Sequence, residues 1–230
     1  RLRQSTVRSL IERKDTIVVA SVSCIYGWQE PKDYLENLLP VHQGMVIQRN
    51  ELVRGLIKLQ YERNDIQFTR GAIRVRGNLV DVFPAEIEDQ AVRIEFTEDK
   101  IESITVIQPM LGKKIEQIDS FVFFQAKQFV TTRERLRVAL PRIREEIDQR
   151  IRFFQTKGRL LEAERIQQRA YQDLEYLEQT GSCPGVENYS RHLALREPGS
   201  TPSTIIDYFS PPFLVFIDES HITVSQLKGM

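Results

Sequence analysis

The stretch from Ile73 to Phe83 has the sequence IRVRGNLVDVF and alternates apolar with polar residues on both sides of the pair Gly77-Asn78. Successive side chains of a β-strand point to opposite faces, so a period of two is typical of a strand with one buried and one solvated face. A Gly-Asn pair between two such runs favours a tight turn. We therefore predict an antiparallel hairpin whose solvated face carries Arg74 and Arg76.

The same alternation returns further along the chain, at Val92–Phe96 and Ile101–Val106, with turn-forming residues at Glu98–Lys100 between them. Short alternating strands joined by tight turns are typical of an antiparallel meander. A helix is predicted before the meander, at Glu51–Leu59. These elements predict an inserted antiparallel α+β domain, with a domain boundary near residues 38–45.

Two continuous apolar runs flank this domain, Thr16–Ala20 and Phe213–Ile217. Short runs of this kind, rich in β-branched residues in the first case, are typical of strands buried on both faces of a parallel sheet. Polar residues follow each run, which is where α/β proteins commonly bind ligands. The predicted fold class is therefore α/β, interrupted by the inserted antiparallel domain.

A third segment is predicted to be helical, because its apolar residues recur at helical spacing. We expect two helices, Arg133–Phe154 and Arg159–Gln179, joined at Lys157-Gly158 into an antiparallel hairpin. Thr131 and Thr132 are candidate N-caps for the first helix. Pro141 has no amide hydrogen to donate, so it is expected to kink or break that helix.

Length and composition indicate a globular protein and exclude several other classes. The chain has 230 residues, with 32 Lys+Arg and 32 Asp+Glu, which suits one large or two modest globular domains. No apolar run approaches the roughly 18–20 residues that span a bilayer, and the first residues lack the apolar core of a signal peptide. Cys24 and Cys183 are expected to be reduced thiols, which predicts a cytoplasmic location without membrane association. The absence of an initial Met predicts a fragment.

The zero net charge hides blocks of one sign. There are five positive and one negative residues in Arg1–Lys14, eight negative and two positive in Asp81–Glu102, and eleven positive and six negative in Arg133–Arg169. Such blocks can form patches that bind nucleic acid or protein, or can simply be solvated faces. Both interpretations remain open from charge alone.

The run Phe213–Ile217 is followed by Asp218-Glu219-Ser220-His221, a Walker B and DExH pattern. In such a pattern the aspartate holds a nucleotide-bound Mg²⁺ through water and the glutamate activates the attacking water. An ordinary strand followed by a polar turn is the alternative. The phosphate-binding Walker A loop, G-x-x-x-x-G-K-[ST], is absent from the chain, so we predict that this chain alone does not hydrolyse ATP.

Other polar groups permit a functional and a structural interpretation. The loop Ser21–Gly27 offers hydroxyl groups and the ring of Tyr26 to a nucleic acid, or is a tight loop that packs Tyr26. His42 and His192 lie in dissimilar contexts and support neither a metal site nor a catalytic triad. The meander carries charged residues that predict either a protein interface or a solvated sheet face: Arg63, Arg74, Arg76, Arg93 and Glu95.

Several segments occur in the order found in the UvrB family of bacterial nucleotide excision repair, and the chain resembles that family over essentially its whole length. These segments are Ser21–Gly27, Arg70-Gly71 with Arg74–Gly77, Val82–Ala85, Arg93–Phe96, Glu187–Arg191 and Ile217–His221. Trp28-Gln29 and Pro141 depart from the family pattern. The resemblance implies an internal fragment of a damage-verifying protein with a partial P-loop helicase-like core.

The resemblance also implies a division of the chain. Residues 1–38 are expected to be part of helicase-like domains 1a and 1b, residues 39–132 the UvrA-interaction domain, residues 133–210 the helical part of domain 1b, and residues 211–230 a return to domain 1a. The complete protein is expected to use ATP and Mg²⁺, and to work with UvrA, damaged DNA and, through regions not present here, UvrC. No cofactor is expected to bind this chain alone.

The family's functional residues carry over as expectations only. The resemblance implies that UvrA binds Arg63, Arg74, Arg76, Arg93 and Glu95, that DNA passes near Arg3, Tyr26 and Glu187, and that Asp218, Glu219 and His221 are the catalytic residues of the complete protein, with Asp218 holding Mg²⁺ through water. One alternative is the UvrB-like, UvrA-binding module of the transcription-repair coupling factor, against which the intact Asp218–His221 box argues. Another is an unrelated nucleotide hydrolase with an inserted sheet.

Overall fold

The computed structural model describes residues 2–127, 129 and 131–229, which form two compact units. The described residues of the first unit are 2–19, 31–127 and 208–215. Those of the second are 20–30, 129, 131–207 and 216–229. Each unit therefore combines stretches that are distant in the sequence. The domain boundaries expected at 38/39, 132/133 and 210/211 stay predictions.

A six-stranded sheet dominates the first unit. Its strands lie in sequence order and are β2 (Glu62–Arg63), β3 (Ala72–Arg76), β4 (Leu79–Val82), β5 (Ala91–Thr97), β6 (Lys100–Ile107) and β7 (Lys114–Ile118). Strand β2 runs parallel to β3, and every later pair is antiparallel. The predicted antiparallel meander is confirmed, including the turn at Gly77-Asn78, where Gly77 has a φ of 58°.

One face of this sheet, the inner face, packs against helix α3 (Arg49–Lys58), which confirms the helix predicted at 51–59. Val80 lies opposite Val75 on one side and Ile94 on the other, and Ile94 lies opposite Ile104. Their apolar side chains share a core with Leu52 and Leu56 of the helix. Because side chains alternate along a strand, the residues between them face outward.

Further elements complete the first unit. They are α1 (Leu2–Glu12), α2 (Pro31–Glu36) and a two-stranded antiparallel sheet of β1 (Leu39–His42) and β8 (Ser120–Phe123). Helix α1 is held by an ion pair in which Arg8 Nη1 lies 3.0 Å from Glu86 Oε1. Burial raises the pKa of Glu86, although Arg8 acts in the opposite direction.

The second unit is built on the predicted helical hairpin, formed by α4 (Arg133–Thr156) and α5 (Leu160–Thr180). The hairpin core contains Ile143, Ile147 and Ile151 of α4, spaced by one helical turn, and these pack with α5 residues such as Ala163. Thr132 caps α4, since its hydroxyl oxygen accepts a hydrogen bond from the amide of Arg135 at 3.3 Å.

Short helices follow the hairpin. They are a 3-10 turn at Val186–Tyr189, α6 (Ser190–Leu193), a 3-10 turn at Ile205–Tyr208 and α7 (Ser220–Gly229), the last of which sequence analysis did not predict. The short helix Val22–Cys24 lies in the loop before Trp28, whose indole Nε1 donates to the carbonyl of Cys24 at 2.7 Å. Among the described residues, neither Cys24 nor Cys183 takes part in a disulfide bond.

Helix α4 is continuous through Pro141, so of the predicted kink or break the break is wrong, and the kink stays a prediction. The missing amide of Pro141 removes one hydrogen bond, to the carbonyl four residues earlier. The apolar stripe continues on both sides of the proline, from Ala139 to Ile143, and packs on α5. Tertiary packing therefore outweighs the local cost of the proline.

The two strands predicted at Thr16–Ala20 and Phe213–Ile217 are wrong for this chain, because neither run forms a strand. Ile17 and Val19 are 91% and 96% exposed, and Phe216 is 87% exposed. A strand is held by main-chain hydrogen bonds to neighbouring strands, and no strand of the described residues pairs with either run. Among the described residues these runs form no parallel sheet, and the helicase-like core stays a prediction.

Within the described part of the chain, every helix is too short or too polar to cross a bilayer.

The proline in α4 yields a prediction about stability. Replacing Pro141 by Ala restores the amide donor inside a continuous helix, so Pro141→Ala should raise the free energy of unfolding by about 1–3 kcal/mol. Urea unfolding followed by far-ultraviolet circular dichroism measures the change. Gln149→Ala, at an exposed site of the same helix, is the matched control and should change stability by less than about 0.5 kcal/mol. Equal effects of the two substitutions would contradict the interpretation.

Candidate protein interface

The outer face of the six-stranded sheet carries a row of charged residues at its centre. Arg74 of β3 lies directly opposite Asp81 of β4, and Asp81 lies directly opposite Arg93 of β5. We call these three residues the charged row. Because the pleat assigns Val75, Val80 and Ile94 to the inner face, their sequence neighbours in the charged row must face outward.

The carboxylate of Asp81 joins the two arginines. Its Oδ2 accepts from Arg74 Nη2 at 2.7 Å and from Arg93 Nη2 at 3.0 Å, and its Oδ1 accepts from Arg93 Nε at 2.7 Å. The residue is only 2% exposed. A carboxylate so enclosed is stabilised as an ion only because charged donors replace its water shell.

The protonation of this site follows from the same contacts. Burial by itself raises the pKa of Asp81, but the hydrogen bonds from Arg93 and Arg74 outweigh burial and hold that pKa below its ordinary value. The hydrogen bond to Asp81 raises the pKa of Arg93 in return. At neutral pH the charged row therefore contains two cations and one anion, with a net positive charge.

An aromatic ring also contacts Arg74. The guanidinium carbon of Arg74 lies 4.3 Å from the centre of the Phe68 ring, within the range of a cation–π contact. Phe68 in turn packs against a small apolar cluster of Phe83, Ala91 and Ile107. Arg74 thus contacts both a carboxylate and an aromatic ring, which limit its freedom to change orientation.

A second row lies one pleat further along, nearer the turns of the hairpins. Arg76 is opposite Leu79, Leu79 is opposite Glu95, and Glu95 is opposite Ser103. Glu95 Oε2 accepts a long hydrogen bond of 3.4 Å from Ser103 Oγ. Arg76 is exposed. The outer face therefore presents both signs of charge, with arginine in excess.

Arg63 lies apart from the charged row, on the short edge strand β2. Its Nη2 is 3.0 Å from Asp65 Oδ2, while Asp65 Oδ1 accepts from the amide of Val75 at 2.8 Å. The hydrogen bond from Val75, followed by that from Arg63, lowers the pKa of Asp65. Asp65 thus ties Arg63 to strand β3 at the edge of the same sheet.

The structure therefore places all five residues predicted for UvrA binding in one sheet, and brings Arg74 and Arg93 onto one carboxylate. Asp81 and Phe68, which hold Arg74 in place, were not singled out by sequence analysis. The alternation of the hairpin did contain the signal for Asp81, because it is a charged residue at an outward position. Nothing in the local pattern identified Phe68, whose contact with Arg74 depends on tertiary structure.

The residues predicted to lie near DNA fall in different units. Arg3 belongs to α1 of the first unit and is half-buried, whereas Tyr26 and Glu187 belong to the second. The backbone of Tyr26 forms an isolated bridge with Thr204, and its side chain is half-buried. Glu187 is exposed in the first turn of a 3-10 helix. Their role in DNA binding stays a prediction.

The predicted catalytic residues lie in a turn that leads into α7. Asp218 Oδ1 accepts from the amide of Glu219 at 2.9 Å, and Glu219 Oε2 lies 3.5 Å from His221 Nδ1. All three side chains are exposed. The described residues contain no group of three carboxylate, histidine or cysteine side chains that could hold a metal ion. The roles of Asp218, Glu219 and His221 in a nucleotide site stay predictions.

Comparison with known proteins agrees with this division into a sheet and a helical hairpin. Residues 39–129 match the family model described as the UvrB interaction domain, and residues 134–195 match the model described as the UvrB third helical domain. Over its whole length the chain is 47% identical to UvrABC system protein B of Geobacillus kaustophilus (strain HTA426), and equally to the proteins of that name from Bacillus caldotenax and Caldicellulosiruptor saccharolyticus. It covers 35% of each, so the chain spans about a third of the length of these curated relatives.

The sheet and the hairpin are therefore an interaction domain and a helical domain, and the two family models together match well over half of the chain. The chain belongs to the UvrB family, as the resemblance of its motifs implied.

The buried carboxylate predicts a pH-dependent contribution to stability. Asp81→Asn keeps the shape of the side chain but removes the charge, so it should lower the free energy of unfolding by about 2–3 kcal/mol at pH 7, as expected for hydrogen bonds to charged groups. Because the pKa of Asp81 is lowered on folding, its contribution is complete above about pH 5 and is lost as the pH falls below about 4. Urea unfolding at several pH values measures it.

Asp89→Asn is the matched control, because Asp89 is exposed in the loop between β4 and β5. This variant should unfold with the free energy of the wild type to within about 0.5 kcal/mol. A gap between wild type and Asp81→Asn that stayed constant down to pH 3 would contradict the linkage.

Proposed function

We propose that this chain is the protein-docking portion of a UvrB-type DNA repair protein, and that the outer face of its six-stranded sheet binds UvrA. The charged row carries this proposal, since two arginines are held in fixed orientations on an outward face within the residues that match the UvrB interaction domain. The name of that family model describes an interaction, and the relatives are named as one component of a system designated A, B and C.

The chemistry of the face supports a partner with acidic or mixed charge. An arginine held by a carboxylate and a ring loses little conformational entropy when it binds, so more of the interaction energy appears as affinity. Arg76 is exposed and free to contact a carboxylate of the partner. Glu95 beside these cations gives the face a pattern of charges, which favours a partner with the complementary pattern over other acidic surfaces.

The remaining functions belong to the complete protein and rest on the relatives. We propose that the whole protein is cytoplasmic, verifies damage in DNA during nucleotide excision repair, uses ATP and Mg²⁺, and meets UvrC through regions outside this chain. Asp218, Glu219 and His221 would serve the nucleotide site, and Arg3, Tyr26 and Glu187 would lie near DNA. The coupling-factor alternative is not favoured, because relatives named UvrABC system protein B match the whole chain at 47% identity.

The docking proposal is tested by reversing one exposed charge. Arg76→Glu should weaken the binding of immobilised UvrA by tenfold or more, because a close charge pair across an interface contributes about 1.5–7 kcal/mol. Surface plasmon resonance measures the dissociation constant. Arg76 is preferred to Arg74 for this test because Arg74 also holds Asp81, so its replacement would alter the fold of the sheet as well.

The matched control is Arg54→Glu. Arg54 is exposed on α3, the helix that packs against the inner face, so its replacement makes the same change in charge on another surface. This control should bind UvrA within twofold of the wild type. The assignment of the outer face fails if both variants bind like the wild type or lose affinity equally.

A second prediction concerns catalysis. The chain contains no Walker A loop, and its Asp218 and Glu219 lie exposed in a turn, so the purified chain should not hydrolyse ATP. Release of phosphate in the presence of Mg²⁺ measures this. Turnover that disappears in Asp218→Ala would show that the chain carries a working nucleotide site, contrary to the prediction.

A further inference from the structure

The connection between the two long helices is a basic segment of the second unit that contains no acidic residue. Between Asp148 and Glu162 the chain has four charged residues, and all four are basic: Arg150, Arg152, Lys157 and Arg159. All four are exposed. No ion pair of the described residues includes Arg152, Lys157 or Arg159. We call residues 150–161 the hairpin tip.

Large apolar side chains are also exposed at the hairpin tip. Phe153 is 44% exposed, and Leu160 and Leu161 are 68% and 57% exposed. The last buried core residues before and after the turn are Ile151 and Ala163. The three exposed side chains therefore lie beyond the hairpin core, close together in sequence around one tight turn, and the packing of α4 on α5 does not account for them.

An arrangement of aromatic rings and a guanidinium group occupies the α4 side of the hairpin tip. The guanidinium carbon of Arg150 lies 4.8 Å from the centre of the Phe153 ring and 4.6 Å from that of Phe154. The two rings meet edge to face, with their centres 5.7 Å apart. Phe154 is partly buried against the hairpin core, which holds this group in place.

Helix stability does not explain the basic residue that begins α5. Arg159 is the N-cap of α5, and its side chain makes no capping hydrogen bond. A serine, threonine, aspartate or asparagine would cap the helix better, and a cation at a helix N-terminus is opposed by the helix dipole. Lys157, by contrast, follows the C-terminus of α4, where a cation is favourable. A residue that breaks a local rule is expected at a functional position.

We infer that the hairpin tip is a binding surface for single-stranded nucleic acid, with Arg152, Lys157 and Arg159 contacting phosphates and Phe153 stacking on an unpaired base. A nucleic-acid strand offers phosphates at short intervals together with flat apolar base faces, which match both features of the tip. An acidic groove on a protein would match the charges, but the guanidinium–aromatic group fits a base face. The residues of this surface differ from those of the sheet face proposed to bind UvrA.

The charge contribution is tested by fluorescence anisotropy of a fluorescein-labelled 20-nucleotide single strand, titrated with the chain at several KCl concentrations. The triple variant Arg152→Gln/Lys157→Gln/Arg159→Gln should bind at least tenfold more weakly at about 0.1 M salt. The slope of log affinity against log salt concentration should fall in magnitude by about 2, since each phosphate contact to a single strand contributes about 0.7.

The matched control removes the same number of charges from the other half of α4. Arg133→Gln/Arg137→Gln/Arg142→Gln changes exposed residues of the same helix and should reduce affinity less than threefold. Equal losses in the two triple variants would show that only net charge matters, and would overturn the assignment. Failure of the wild-type chain to bind the oligonucleotide would overturn it as well.

The stacking contribution is tested by Phe153→Leu, which keeps an apolar side chain on Phe154 but removes the ring. Affinity should fall about fivefold or more with no change in salt slope. Affinity equal to that of the wild type would overturn the role of Phe153. Binding to a 20-base-pair duplex as tight as to the single strand would overturn the preference for unpaired bases, and competition by polyglutamate as effective as by unlabelled oligonucleotide would point to an acidic protein instead.

Discussion

The charged face of the sheet depends on one buried carboxylate. Asp81 is enclosed between two cross-strand neighbours, and removing a carboxylate from water is costly unless charged donors replace its hydration. Arg74 and Arg93 supply those donors, so the three side chains must stay in register. A slip of one residue between strands would place Asp81 in the apolar layer against α3. The same interaction therefore orients the arginines and specifies the pairing of β3, β4 and β5.

This constraint also explains how a chain of zero net charge can present basic surfaces. The side chain of Asp81 is buried, whereas the side chains of the two arginines that it binds are partly accessible, with exposures of 11% for Arg74 and 28% for Arg93. Asp81, the first residue of the acidic block Asp81–Glu102, is thus buried between the two arginines of the charged row. At the hairpin tip, basic residues are separated from acidic residues along the sequence, since the nearest acidic residues are Asp148 and Glu162. Formal charge counts describe neither surface, because what a partner meets depends on which charges are buried.

Much of the fold could be predicted because its signals are local. The period of two, the turn at Gly77-Asn78 and the helical spacing around Ile147 each depend on residues a few positions apart, and the sheet and the hairpin both formed as expected. The outward position of Arg74 and Arg76 followed from the same alternation. Cross-strand partners, in contrast, depend on register, so the convergence of Arg74 and Arg93 on Asp81 and the stacking of Arg74 on Phe68 were not predictable from spacing.

The wrong predictions share a physical cause. A local sequence pattern indicates which secondary structure a segment prefers, but it does not show whether another segment packs or pairs with it. The runs at Thr16–Ala20 and Phe213–Ile217 have the composition of buried strands, but a strand becomes stable only when neighbouring strands satisfy its main-chain groups. Pro141 shows the converse, since a local helix breaker persists where the apolar stripe of α4 packs on α5. By the same reasoning, the two exposed apolar runs and the hairpin tip need different partners. An apolar run needs a neighbouring strand that pairs with its main chain. The apolar side chains of the hairpin tip need a partner whose shape and charge match the tip and its basic neighbours.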